Sequence, residues 1–126
     1  MDGAGPIRVL IAADDARVRS ALRTFLGAHP RLEVVAEASG PVAALSLARE
    51  HAPAVALVDV HLPGKEAGLA LLRALSGRLG IAVVAIGVEA SARQSALDAG
   101  ASRFLDQAKV PDQLLDALVR SADRDG

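Results

Sequence analysis

Five short apolar runs, each followed by a stretch with helical periodicity, constrain this chain more than any other feature. The runs are Ile7 to Ala13, Leu32 to Ala38, Val55 to Asp59, Ile81 to Ile86 and Ser102 to Leu105. Most are continuous in Val, Ile, Leu and Ala rather than alternating with polar residues, as strands covered on both faces are. The second mixes Glu33 and Glu37 into its apolar residues, which suits a less buried edge strand. Between the runs lie stripes at three- and four-residue spacing. They are Val18, Leu22, Phe25 and Leu26; Val42, Leu45 and Leu47; Leu69, Leu71, Leu72 and Leu75; Ala92, Ala96 and Leu97; and Leu114, Leu115, Leu118 and Val119. Breaks fall where strand and helix must part: Asp14-Asp15, His29-Pro30, Gly40-Pro41, Pro53, Pro63-Gly64, Gly77 and Gly80, Gly100, and Pro111 in a first helical turn.

Strict βα alternation implies a parallel sheet with helices on both faces and right-handed crossovers. For five units it predicts a flavodoxin-like three-layer α/β/α fold, a five-stranded parallel sheet of order 2-1-3-4-5 with five helices. Residues 1–126 are read as one domain, with 1–6 a lead-in and 121–126 a polar tail or the start of a linker. The predicted order brings the carboxyl ends of strands one, three, four and five together. Asp14, Asp15, Asp59, Gly87, Asp106 and Gln107 then share one edge, where open α/β sheets place their chemistry.

Carboxylates converging there make a hard-oxygen site suited to Mg²⁺. With a metal neutralising phosphoryl oxygens, a carboxylate can attack phosphorus and become an acyl phosphate. The same residues also suit a plainer reading, in which Asp14 and Asp15 cap a helix and Asp59 is a turn residue. Spacing leaves both open.

Composition removes other classes. At 52% hydrophobic residues the chain has a core to bury and is not a disordered tail. It carries neither an apolar run of about 18 residues for a membrane span nor a secretory signal, so a cytoplasmic location is expected. The absence of cysteine excludes disulfides and thiolate chemistry. A net charge of −1 and only Phe25 and Phe104 as aromatics give no basic face and no stacking platform, so direct nucleic-acid contact by this segment is not expected.

The segments IRVLIAADDARVRSALRTFL, LVDVHLPGKEAG, DAGASRFL and PDQLLDAL resemble, over essentially the whole chain, the receiver domain of bacterial two-component response regulators. The likeness is nearest to the subgroup that carries a LuxR-type DNA-binding domain after the receiver. Asp59, Pro63, Gly64 and Gly68 all fall where that family has them. The resemblance implies a phosphorelay switch in transcriptional signalling rather than an enzyme. Asp59 would accept a phosphoryl group from a sensor histidine kinase, and Mg²⁺ would be held by Asp14, Asp59 and the backbone carbonyl of His61, with Asp15 as a helper. Phe104 falls where the family has an aromatic switch residue. It packs as an ordinary strand residue in the simpler reading.

Three positions depart from the family pattern. The first acidic residue of its usual pair falls on Ala13, its Ser or Thr after strand four on Gly87, and its lysine after strand five on Gln107. The chain is therefore read as an atypical receiver with weak or no phospho-switching. It would act as an interaction or dimerisation module, with any symmetric contact on the fourth and fifth helices. A conventional Mg²⁺-dependent acceptor is the alternative. Whether a DNA-binding domain follows is left open by the sequence. His61 also makes Asp59 to Gly64 resemble the cobalamin-binding signature of another flavodoxin-like family. That string belongs after a first strand and with a later Gly-Gly pair, neither of which holds here, so corrinoid binding is a minor alternative.

Overall fold

A computed structural model describes residues 5–60, 65–88 and 90–123. In chain order the strands are β1 (Ile7–Ala12), β2 (Leu32–Ala38), β3 (Val55–Asp59), β4 (Ala82–Gly87) and β5 (Arg103–Asp106). The helices are α1 (Ala16–Gly27), α2 (Pro41–His51), α3 (Lys65–Arg73), α4 (Ala90–Asp98) and α5 (Val110–Asp123). All pairings are parallel and the sheet order is β2-β1-β3-β4-β5, as the alternation predicts.

Neighbouring residues of each inner strand feed opposite layers, which is why the runs are almost continuously apolar, with Arg8 near the start of β1 and Asp59 at the end of β3 as exceptions. Leu10, Ala12, Ala56, Val58, Val83 and Ala85 pack with α2, α3 and α4. Val9, Ile11, Leu57, Val84 and Ile86 face the layer of Leu22 and Leu26 from α1 and Leu114 and Leu118 from α5. The outer strand β2 is half-exposed, and its register with β1 shifts between Val9 and Leu10. Such an irregularity, with Glu33 and Glu37 on the same strand, discourages pairing by a further chain.

Four local expectations change. In α2 the buried residues are Ala44 and Ala48, whereas Val42 is 83% exposed. Small side chains let this helix lie close to the sheet, and Leu45 and Leu47 only flank the contact. Gly77 does not end the third helix: α3 continues as a π turn over Ala74–Arg78, and Gly80, at φ +66°, releases the chain. The fifth strand begins at Arg103 and runs to Asp106 rather than spanning Ser102 to Leu105. Residues 121–123 are not a tail, because α5 continues to Asp123 and buries Ser121 completely. The expected helix stop at Gly100 is realised: at φ +113° its N–H donates to the Leu97 carbonyl, and the Ala101 N–H to that of Ala96.

Candidate functional site

Asp59 ends β3, half-buried, at the carboxyl edge of the sheet. Its neighbours are held on both sides. The last registered pair between β1 and β3 is Ala12 with Val58, so Ala13 and Asp59 are the next residues out. On the other side Asp59 pairs with Ile86, and the Val60 N–H donates to the Ile86 carbonyl at 3.0 Å. Helix α3 lies close behind this strand end at Gly68. A Cβ there would stand 2.2 Å from the carbonyl oxygen of Val60, so only glycine lets α3 come this close behind Asp59.

The two acidic residues after β1 separate into different jobs. Asp15 is the N-cap of α1: its Oδ1 accepts from the Arg17 N–H at 2.8 Å and lies 3.9 Å from the Arg17 side chain. Asp14 is exposed, does not cap the helix, and stands one residue nearer β1. Ala13 is buried, its N–H donating to the Ala38 carbonyl of β2 at 3.0 Å. Arg19 folds back onto this loop, its Nη1 donating to the carbonyls of Ala13 (2.8 Å) and Asp14 (3.0 Å). Sequence reasoning assigned Arg19 no role, and an exposed-face arginine in a first helical turn carries no signal of one.

On β4 and β5, Gly87 pairs with Asp106 and Ala85 with Phe104. Phe104 is buried, and its ring fills the space in front of Gly87. A Cβ on Gly87 would meet Phe104 Cε1 and Cζ at 2.9 Å and Val60 Cγ2 at 3.1 Å. Gln107 is exposed and opens the 3₁₀ turn Gln107–Lys109, which Asp106 caps through the Ala108 N–H at 2.9 Å. Lys109 ends that turn, exposed. His61, together with Leu62, Pro63 and Gly64 of the motif, lies outside the described residues.

Between α1 and the start of α5 a cleft of about 390 Å³ opens onto this edge. Val18, Ala21, Leu22 and Phe25 form one wall, and Val110 and Pro111 the other. Asp59 and Gln107 line it too, with Ala12, Leu57 and Ile86 contributing from the strands. The helical stripe containing Phe25 is legible in the sequence as core; that it leaves a cleft is not.

Among the described residues no three carboxylates, histidines or cysteines come together to hold a metal ion. With Asp15 turned to its cap and Ala13 without a ligand, the donors on hand are Asp14 and Asp59. Mg²⁺ is commonly bound by one or two carboxylates together with phosphate oxygens and water, a donor type that Asp14 and Asp59 supply. Also among the described residues, no helix is long and apolar enough to cross a membrane.

Strand order, an aspartate at the end of β3 and the glycine-dependent approach of α3 behind it define a receiver-type α/β domain. The family profile for the response regulator receiver domain matches residues 9–119, and the chain belongs to that family. Among curated relatives, a protein-glutamate methylesterase/protein-glutamine glutaminase of Anaeromyxobacter dehalogenans is 36% identical over 94% of this chain and 36% of its own length. One from Rhodopseudomonas palustris is 32% identical over 93% of this chain and 34% of its own length. The chain thus spans about a third of these relatives. Among solved structures, a LuxR-family response regulator from Aurantimonas sp. superposes with a TM-score of 0.85 at 27% identity, covering 95% of this chain and 87% of that one. The response regulator domain of Thermotoga maritima CheB gives a TM-score of 0.84 at 24% identity, covering 94% and 97%, a likeness of fold.

Proposed function

We propose that this receiver works with weak phosphoryl-driven switching and serves mainly as an interaction module in phosphorelay signalling. The observation that carries the reading is the filled space at Gly87. In the family pattern a hydroxyl at this position and a lysine at position 107 bond the phosphoryl group and draw the fourth and fifth strands toward it. Here the first position offers no hydroxyl and its space is taken by the Phe104 ring. The second offers an exposed amide. A hydrogen bond to a charged group contributes about 1.5–3 kcal/mol. Moving a two-state equilibrium from 1:99 to 99:1 takes roughly 5.5 kcal/mol. Losing two such bonds removes half or more of that difference.

The second reading, a conventional acceptor, is favoured by Asp59 standing at the strand end with Asp14 close in sequence order to β1. Asp14 and Asp59 would hold Mg²⁺, which would supply charge neutralisation at the phosphoryl oxygens. Acetyl phosphate with Mg²⁺, read by intact mass on wild type and Asp59→Asn, separates chemistry from switching when paired with amide NMR shifts of β4 and β5. The proposal expects little or no adduct, or an adduct that leaves those shifts in place. An adduct on wild type alone with large shifts across both strands establishes the second reading.

For the output we retain transcription regulation by a LuxR-type protein in the cytoplasm, supported by the LuxR-family structural neighbour. A sensor histidine kinase is the expected upstream partner, and the face of α4 and α5 the expected surface for a second copy. The methylesterase relatives favour a chemotaxis-type output instead. The intact mass and domain content of the endogenous product distinguish them: a DNA-binding domain supports the first, a methylesterase domain overturns it.

A further inference from the structure

We propose that a pocket at the amino edge of the sheet, the edge away from Asp59, binds a small neutral polyhydroxyl compound through the hydroxyls of Ser76, Ser102 and Ser121. The pocket measures about 270 Å³ and lies where the chain enters β4 and β5. Ser121 of α5 lines it and is completely buried, and its Oγ has no hydrogen-bond partner among the described residues. A buried hydroxyl normally finds a partner, and leaving it without one is costly. Ser76, from the π turn, and Ser102, just before β5, are half-buried, and the exposed Gly80 and Gly100 line the pocket nearer solvent. A Cβ on Gly100 would collide with the Ser76 Oγ, so only glycine there leaves room for this hydroxyl.

Charge and backbone narrow the ligand class. No charged side chain is among the described lining residues, so an ion entering would lose hydration without gaining a counter-charge. The N–H groups of Ile81, Gly100, Ala101 and Ser102 already donate to carbonyls within the fold, which removes them as an anion cradle. The three hydroxyls remain, and each both donates and accepts. A ligand whose own groups do the same can pair with them whichever way they rotate. Ile81 and two alanines add too little apolar surface to hold a hydrocarbon body.

The inference goes beyond the phosphorelay reading and shares no residue with it. The test compounds are myo-inositol, cyclohexanol and cyclohexanecarboxylate, which keep one ring and change its polar groups, titrated into the ¹⁵N-labelled chain. myo-Inositol should shift the amides of Ser76, Gly80, Gly100 and Ser102 in a saturable manner, with a Kd on the order of millimolar, as a few neutral hydrogen bonds allow. Cyclohexanol, with one hydroxyl, should bind about tenfold more weakly or worse, and the carboxylate should leave these amides unmoved. Ser121→Ala should weaken myo-inositol binding about tenfold and leave thermal stability unchanged or higher, since the hydroxyl it removes has no partner among the described residues. Ser102→Leu, which fills the pocket from its half-buried wall, should abolish binding. Circular dichroism establishes that each variant is folded, and Ser76→Ala, a smaller change, should weaken myo-inositol as Ser121→Ala does. No saturable shift with myo-inositol, equal binding of all three compounds, or undiminished binding in the folded variants overturns the proposal. A marked loss of stability in Ser121→Ala also overturns it, since the hydroxyl is then served by ordered water that belongs to the fold.

Discussion

Asp14 and Asp15 are identical side chains one residue apart, and the backbone gives them different work. The Asp15 carboxylate accepts the Arg17 N–H as a helix cap, whereas Asp14 does not cap α1. Asp15→Ala should therefore cost about 1 kcal/mol in urea unfolding, the usual loss for an N-cap, and leave any acetyl phosphate labelling of Asp59 intact. Asp14→Ala should show the reverse, near wild-type stability with labelling suppressed. A similar argument applies at position 87. A methyl there must push aside the Phe104 ring or Val60, so Gly87→Ala should destabilise the fold by about 1–3 kcal/mol. Phe104→Leu in the same chain should recover much of that loss. Additive costs in the double-mutant cycle would show that ring and glycine do not share the space.

Elements add constraints that single residues do not show. Helix α3 sits close behind Asp59 because Gly68 lets its backbone approach Val60. Helix α2 sits close because Ala44 and Ala48, not its larger residues, form the contact. Hydrophobicity alone points to Val42, Leu45 and Leu47, yet 3.6-residue periodicity fits Ala44 and Ala48 equally well. Ala is too weakly apolar to announce itself. The last turn of helix α5 carries the fully buried Ser121, a residue type that usually signals a surface or an end.

At the scale of the whole molecule, two apolar layers sandwich a sheet whose inner strands are closed to water. Val9 and Leu10 of β1, Val58 of β3, and Val83 and Val84 of β4 are each 0% exposed. Native-state hydrogen exchange should be slowest at these amides and markedly faster along the half-exposed β2, since opening free energy follows buried contact. Uniform protection across all five strands would contradict this layering. The same layering explains the α1–α5 cleft. Among the described residues these two helices cover one face of the sheet, and the cleft lies between them near the carboxyl edge.

The fold was legible in the chain because local pattern encodes it: a strand apolar at every position must be covered on both faces, and βα alternation with right-handed crossovers leaves few strand orders. The placement of Asp59 at a strand's carboxyl end follows from the same pattern. Periodicity cannot report distances between segments far apart in sequence. That Phe104 fills the space before Gly87, that α3 touches Val60, and that α1 and α5 leave room beside Asp59 are matters of volume and close approach. Each depends on side chains from separate elements meeting, or failing to meet, once the sheet has assembled. Only the tertiary structure decides them, because packing is set by the shapes brought together and not by the order in which they occur.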